Sequence, residues 1–476
     1  MKPFPKVAST VLLLLALTGC AVKPRPFSPE ENQQRGDQDR KQLFGEIEPL
    51  TGPVDLPTAL RRALRYNLET RVALAEQAAA TGQFKADLWS LAPQANLSQS
   101  ARIRNNQNSS VNHSEKAGTN GEDPTYSAPR ESVFGEFRML YNLLDFGISY
   151  LNARQSGNQR FVAEERRRKA VQNLMRDVRE AYWQAVAAER TRLRIDPLQG
   201  QLDQARKSAM TAQQTGVQKP LDALRFRLLL VDASDQINQI RTQITAARIR
   251  LAYLIHLPPG ADFQVVLPAV ENLEIPRELR SMTTLESFAM VLRPELRELG
   301  YQKRISTDDI HKSWVRLFPG IELSSGFSWD SNPYLTNQNW VESNIRLTWN
   351  VVNLFSGSSM INAAETKDKV VEMRRLAITA LVLSQIHGAY KELEAETNSW
   401  HSAQERSAIM AEIVDKTRVL APTEEGGQVQ VIKTQIEAGV ADLQRDMAYA
   451  RLQSSYGRLL NAVGDDPDAE EPKPAK

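Results

Sequence analysis

The chain has 476 residues, 41% of them hydrophobic and 24% charged, with 59 Lys and Arg against 57 Asp and Glu. That length admits two or three domains, and the even charge balance argues against a nucleic-acid binder, which carries a basic patch or stripe. A single cysteine, at position 20, excludes a disulfide framework.

In chain order the first feature is a leader. Lys2 and Lys6 precede the apolar run VLLLLAL (11–17), and small residues lead up to Cys20. A basic stretch, a short apolar core and a small-residue cleavage site make residues 1–19 a secretory signal peptide. The apolar run is too short to span a bilayer, which takes about 20 residues. Leu17-Thr18-Gly19-Cys20 resembles the bacterial lipobox, which implies that Cys20 is the lipid-attachment site and the first residue of the mature chain. By resemblance to sorted lipoproteins, Ala21 in place of Asp implies the outer membrane. Residues 20–54 then form a lipidated tether, in which KPRPFSP (23–29) is stiff and extended.

No later segment is long and apolar enough for a transmembrane helix, so any crossing must be a closed β-barrel. Period-2 alternation predicts strands at about 94–104 and 132–142. Ala95, Leu97, Ala101 and Ile103 alternate with Asn96, Ser98, Ser100, Arg102 and Arg104; Val133, Phe137, Met139 and Tyr141 alternate with Ser132, Glu136, Arg138 and Asn142. Between them, residues 105–130 are rich in Asn, Ser and Gly, as an exposed loop would be.

From about 149 to 214 and from 220 to 257 the period becomes helical. Val171, Leu174, Val178, Ala181, Ala185, Ala188, Arg192 and Ile195 keep the 3-4 spacing of a coiled-coil seam. Leu230, Ile237, Ile240, Ile244, Leu251 and Leu254 do the same on a returning helix. The first helix would be about 100 Å long at about 1.5 Å per residue, and needs partners along its length. Asp196-Pro197 predicts a kink in it.

A Pro-containing connector (261–280) leads to a second set of the same elements. Strands are predicted at about 321–330 and 340–351. There Ile321, Leu323, Phe327 and Trp329 alternate with Glu322, Ser324 and Ser328, and Val341, Ile345, Leu347, Trp349 and Val351 alternate with Glu342, Asn344, Arg346 and Asn350. Helices follow at about 358–438 and 441–463, meeting at a turn that contains Gly439-Val440. Pro422 and Gly426-Gly427 then fall inside the first of these, where a bulge or short loop is expected. Residues 465–476 form an acidic, Pro-containing flexible tail.

The two sets are copies, comprising residues 55–260 and 281–464. Asn67-Leu68, Pro93 and Leu97 meet Arg293-Pro294, Pro319 and Leu323 at an offset of 226. FRMLYNLLDFG (137–147) and IRLTWNVVNLFSG (345–357) align at 208, because the loop before the second phrase is shorter. The glycines closing each phrase are expected to turn the backbone from strand to helix, with Tyr141 and Trp349 in an aromatic girdle at the rim. Set farther along, TGVQKPLDAL (215–224) faces AGVADLQRDM (438–447).

Strands of about 10 residues with one apolar and one strongly polar face are the signature of a transmembrane β-barrel. Surface hairpins on a helical core would share the alternation, but Arg and Glu recur on the polar face of each pair, as a water-filled lumen requires. Arg102, Arg104, Glu136, Arg138, Glu322, Glu342 and Arg346 are therefore expected to face a lumen. Four strands cannot close a barrel, for which about eight is the minimum, so either copies associate or these are not barrel strands. Catalysis is not expected: the five His are scattered, and no metal spacing or phosphate-binding loop is present.

Two repeats of strand hairpin and long helices, behind a lipobox, resemble the TolC-type outer-membrane factor family in its lipoprotein form. The likeness spans nearly the whole mature chain and rests on the duplicated order of the parts. It implies an α+β membrane protein built as a homotrimer, with a 12-stranded β-barrel and a periplasmic α-helical barrel of coiled helices. It also implies helix–helix tips that dock a periplasmic adaptor. Gly216, Val217, Leu221, Asp222 and Leu224 match the family's tip pattern; Gly439, Val440 and, with a one-residue shift, Asp446 match it less well, since Arg445 stands at the aligned place. The implied role is a passive duct in the outer membrane of a Gram-negative bacterium. It would be fed by the adaptor and an inner-membrane pump, with outer-membrane lipid around it, no cofactor and no nucleic acid. Small-molecule efflux is the leading cargo class. A duct for type I protein or polysaccharide secretion, and a non-channel coiled-coil lipoprotein bridging the envelope, are the alternatives.

Overall fold

A computed structural model of the chain describes residues 24–45, 47–110, 125–214, 220–269, 273–276, 280–421 and 427–464. Cys20, the signal sequence and the tail at 465–476 lie outside them. The chain divides into a short N-terminal unit and a main unit that begins at Val54.

In the N-terminal unit, residues 24–28 of the expected extended stretch are non-helical, and helix α1 (Pro29–Phe44) follows them. The cause is local. Ser28 Oγ accepts from Glu31 N at 3.2 Å, the Glu31 carboxylate accepts from Ser28 N at 2.8 Å, and Pro29 fixes the first helical turn. None of its residues is buried.

The main unit runs α2 (Leu56–Tyr66), α3 (Leu68–Trp89), β1 (Gln94–Ile103), β2 (Asn108–Ser110), β3 (Thr125–Ala128), β4 (Glu131–Asn142), α4 (Leu143–Gln214) and α5 (Pro220–Leu254). It then repeats as α6 (Met282–Leu292), α7 (Pro294–Val315), β5 (Gly320–Asp330), β6 (Asn339–Thr348), α8 (Val352–Leu420) and α9 (Gly427–Val463). The bounds of α2 and α3 return in α6 and α7 displaced by 226, and β6 begins 208 residues after β4. None of these helices is long and apolar enough to cross a membrane.

Helix α4 stays helical through Pro197 for 72 residues, about 108 Å at about 1.5 Å per residue. Its upper part packs on α3 and α7: Ser156 bonds Asp87, Arg154 pairs with Asp308, and Arg166 pairs with Glu298 at 2.8 Å. Its lower part is clasped by α5, where Arg248 meets Glu189 at 3.1 Å and Arg241 meets Asp196 at 3.4 Å. The seam residues Val171, Leu174, Val178, Ala181, Ala185, Ala188 and Ile195 are buried. Arg192 alone leaves the seam and pairs at 2.7 Å with Glu189. In the second repeat Ile386, Leu393 and Trp400 of α8 pack with Tyr449, Leu452 and Leu459 of α9.

The second helix turn lies elsewhere than the sequence suggested. Arg458 pairs with Glu392 at 2.8 Å, Arg451 with Glu396 at 3.2 Å, and Ser407 donates to Asp442 at 2.5 Å. These antiparallel contacts centre between Leu420 and Gly427, the facing ends of α8 and α9, and residues 422–426 lie outside the described residues. Gly439 and Val440 lie inside α9. A lone Gly costs a helix interior only about 1 kcal/mol, which α9 bears at Gly439.

Among the described residues one antiparallel sheet has strand order β1-β4-β5-β6, and β2 pairs with β3 in the long loop. Leu97, Phe137, Phe327 and Val341 stand opposite one another across all four strands of the sheet. Opposite residues share a face, so the apolar positions make one side and the polar positions the other.

Candidate functional site: a two-faced sheet and the helix tips

The outward side of the sheet is apolar and open. Leu97, Ile103, Phe137, Met139, Phe327, Val341, Ile345 and Leu347 are all exposed. For Leu97, Val341 and Ile345 the exposure exceeds 70%, which a water-facing sheet would not tolerate in bulk.

The other side gathers the predicted polar residues. Ser98 opposes Glu136, Asn96 opposes Arg138, Asn142 opposes Glu322, Glu322 opposes Arg346 and Gly326 opposes Glu342. Arg138 pairs with Glu136, and Arg346 reaches Glu322 at 3.6 Å. Asn344 donates to Glu342 at 2.6 Å. Arg102 falls on this face opposite Ser132. Arg104 follows the end of β1, its backbone N–H bonded to Arg130 O at 2.9 Å. In β5 the polar-side Ser324 and Ser328 are buried while Ile321, Leu323 and Phe327 on the apolar side are exposed, whereas on the edge strands Arg102, Glu342 and Arg346 are exposed as well.

The strand-to-helix exits work differently from the expectation. Asn142 Oδ1 accepts from Leu144 N at 3.0 Å and from Asp145 N at 3.3 Å; Asn350 Oδ1 accepts from Val352 N at 3.1 Å. Asn142 therefore caps the first turn of α4, while Asn350, two residues before α8, takes one N–H at its start and the cap residue Val351 makes no side-chain bond. Gly147 and Gly357 lie inside those helices instead. A Cβ at 357 would sit 2.5 Å from Leu317 Cδ2, so this glycine allows close packing rather than a bend. Tyr141 is within β4, against Phe146 at 5.6 Å between ring centres. Trp349 lies just past β6, its indole N–H donating to Leu317 O at 3.1 Å. Asparagine directly before α4 was a readable signal for that cap.

At the first tip, Gly216 and Val217 lie outside the described residues. Leu221 and Leu224 are exposed in the opening turns of α5, and Asp222 lies between them in the helix. The second tip holds none of the predicted residues. Asp446 is buried deep in the bundle with Arg445: Arg445 Nη2 donates to Asp446 Oδ1 at 2.9 Å, and its Nη1 donates to Ser407 Oγ at 3.0 Å and Asp442 Oδ1 at 3.1 Å. Arg190 of α4 stands 3.6 Å from the same Asp446 oxygen. This network joins α4, α8 and α9 and is no docking tip. A second buried carboxylate, Glu189, is held below its ordinary range, chiefly by the hydrogen bond from Arg192, with Arg248 adding to it. Arg445 with Asp442 and Asp446, and Arg192 with Glu189, are near neighbours in sequence, but the partners from other helices, Ser407, Arg190 and Arg248, are remote, and spacing announced none of them.

The sequence matches no family model and no curated protein. The fold has close counterparts among solved structures. It resembles the CmeC outer membrane channel of Campylobacter jejuni with a TM-score of 0.70 at 13% identity, over 86% of this chain and 85% of that one. It resembles the open state of the MtrE outer membrane channel of Neisseria gonorrhoeae with a TM-score of 0.69 at 15% identity, over 87% and 91%. The outer-membrane channel OprN gives 0.66 at 18% identity, over 86% and 90%. The TolC-type fold expected from the duplicated order is thus the fold of this chain.

Proposed function

We propose that this chain is the outer-membrane duct of an envelope-spanning efflux system. Three copies would contribute twelve strands to one barrel, continued below by a tunnel of their long helices. The observation that carries this reading is the four-stranded sheet, with its exposed apolar side, its opposite side gathering Arg and Glu, and two edge strands without partners among the described residues. Such a sheet is a fragment of a closed structure, since exposed apolar edges are otherwise sites of aggregation. The fold shared with outer-membrane channels supports the same reading.

In this reading Arg102, Arg104, Glu136, Arg138, Glu322, Glu342 and Arg346 line the water-filled lumen, and the duct performs no chemistry. Gly216, Val217, Leu221, Asp222 and Leu224 form the tip that meets a periplasmic adaptor, itself coupled to an inner-membrane pump. Asp222→Arg should weaken adaptor cross-linking while leaving trimers intact. Cys20 carries the lipid anchor in the outer membrane, a point that the mass of the mature N-terminus checks.

Reconstitution into planar bilayers tests the duct itself. Discrete single-channel currents are expected, larger in variants whose tip helices are loosened. A protein that stays silent even with a loosened tip would instead be a bridging coiled coil.

A further inference from the structure

Two aromatic side chains break the alternation of the sheet. Phe137, Tyr141, Phe327 and Trp329 share its apolar side, in register with Leu97, Leu323 and Val341. Phe134 instead stands opposite Ser100 and Asp330, and Trp340 stands opposite Ser328, so both fall on the polar side. An aromatic girdle at a membrane boundary faces lipid, which leaves these two unexplained.

The two rings meet across β5, with centres 6.3 Å apart and planes tilted by 38°, within the range of an aromatic pair. Both residues are half-buried, and Ser328 in the strand between them is buried. Phe134 lies eight residues before Asn142, the end of β4, or about 26 Å along the strand at about 3.3 Å per residue. The pair therefore sits at the end of the sheet remote from the helices. That end is braced. Ser331 Oγ accepts from Val133 N at 2.7 Å, Asn332 Nδ2 donates to Ser127 O at 3.0 Å, and Gln107 Nε2 donates to the Tyr334 hydroxyl at 2.9 Å.

The charges around the rings are mainly acidic. Asp330 stands opposite Phe134, and one of its oxygens accepts from Asn332 N at 2.9 Å. Glu136 stands opposite Ser328 and is bound to Arg138. Glu342, two residues along β6 from Trp340, takes the Asn344 amide at 2.6 Å, and among the described residues no Lys or Arg pairs with it. Arg102 lies toward β1, on the side of Phe134 away from Trp340.

We infer that Phe134 and Trp340 form a stacking station on the inner wall of the duct, near its outer end, for planar aromatic cations in transit. This rests on the duct reading above, in which three copies set three such pairs around one level of the lumen. A planar cation offers a π-face to the rings and a positive charge to both the ring faces and Glu342. Tryptophan is the best of the aromatic side chains for such a charge. Contacts this weak suit a conduit, where binding must favour entry and still permit release.

Current block in planar bilayers tests the station, using the full chain and ethidium as the probe. Resolved blocks are expected in the parent. Trp340→Leu should shorten their dwell time about 5–30-fold, the ratio carried by one or two such contacts, while Trp340→Phe keeps most of it. Glu342→Gln should shorten it as well. Pyrenesulfonate, a planar anion, should dwell more briefly than ethidium in the parent. Open-channel conductance reports whether each variant assembles; if Trp340→Leu forms no channels, Phe134→Leu carries the same comparison. Unchanged ethidium dwell in the leucine variant, or a conducting parent that ethidium never blocks, overturns the station and leaves the duct reading intact. Equal dwell for the two probes overturns the preference for cations. A parent that never conducts, even with a loosened tip, retires both the duct and the station.

Discussion

The indole of Trp329 in β5 lies directly over Gly135 in β4, its cross-strand partner. A Cβ at 135 would sit 2.0 Å from the ring carbon Cζ2. The glycine is therefore the floor of an aromatic site on the apolar side of the sheet.

Gly135→Ala should force the indole out of place and destabilise the sheet by about 1–3 kcal/mol, the usual cost of overpacking. The temperature at which the assembled protein loses its gel mobility would fall. Pairing Gly135→Ala with Trp329→Leu should restore most of the loss; an unrescued double variant would show that the glycine serves something other than the ring.

Arg445→Ala should be far more damaging than its place on a surface-like helix pattern suggests. It leaves Asp446 buried without its closest cation, and breaking a buried pair on one side costs about 3–5 kcal/mol. Arg445→Met with Asp446→Leu removes both charges and should recover stability toward the parent. Thermal unfolding in detergent of the three proteins measures the ordering, and a single variant no worse than the double would contradict it.

Asn142→Ala removes the acceptor for two N–H groups at the head of α4. A cost of about 1 kcal/mol is expected, with Asn142→Asp close to neutral. The same comparison at Asn350, which takes one N–H group, should show a smaller loss.

Acid sensitivity should trace in part to Glu189. Its carboxylate is stabilised by Arg192 and Arg248, so its folded pKa lies below the ordinary value of 4.5. A lowered folded pKa means that the unfolded chain takes up the proton first. The contribution is complete above about pH 4.5 and disappears as pH falls through the folded value. Glu189→Gln should lower stability at neutral pH and flatten its decline below pH 4.5. Parallel pH profiles for the two proteins would assign the acid sensitivity to other groups.

Much of this architecture was legible because strand parity and repeat offsets are properties of spacing alone. Leu97, Phe137, Phe327 and Val341 line up across the sheet because alternation put each on its apolar side. The second tip was misread for a specific reason. Gly439-Val440 resembles Gly216-Val217 locally, but aligning them shifts the offset from 208 to 223 and inserts extra residues into a packed helix pair. Holding 208 places the partner of 215–219 at 423–427, which holds Gly426 and Gly427 and directly follows Pro422. The Arg445–Asp446–Ser407 network and the Leu317 contacts of Gly357 and Trp349 were not legible at all. They depend on which helix faces meet, and spacing within one helix does not contain that.

The open sheet also orders events in time. The helix hairpins join residues close to their own turns, whereas β4 and β5 are separated by nearly the whole of one repeat, and distant pairings form slowly. The helices therefore zip first, and each copy travels with an adhesive, half-finished sheet. In the proposed barrel, completion is a collision between molecules, so its rate should rise with protein concentration while helix formation does not. Pulse-labelled hydrogen exchange during refolding, protecting α4–α5 amides early and β1 and β6 amides late and in proportion to concentration, would record that sequence.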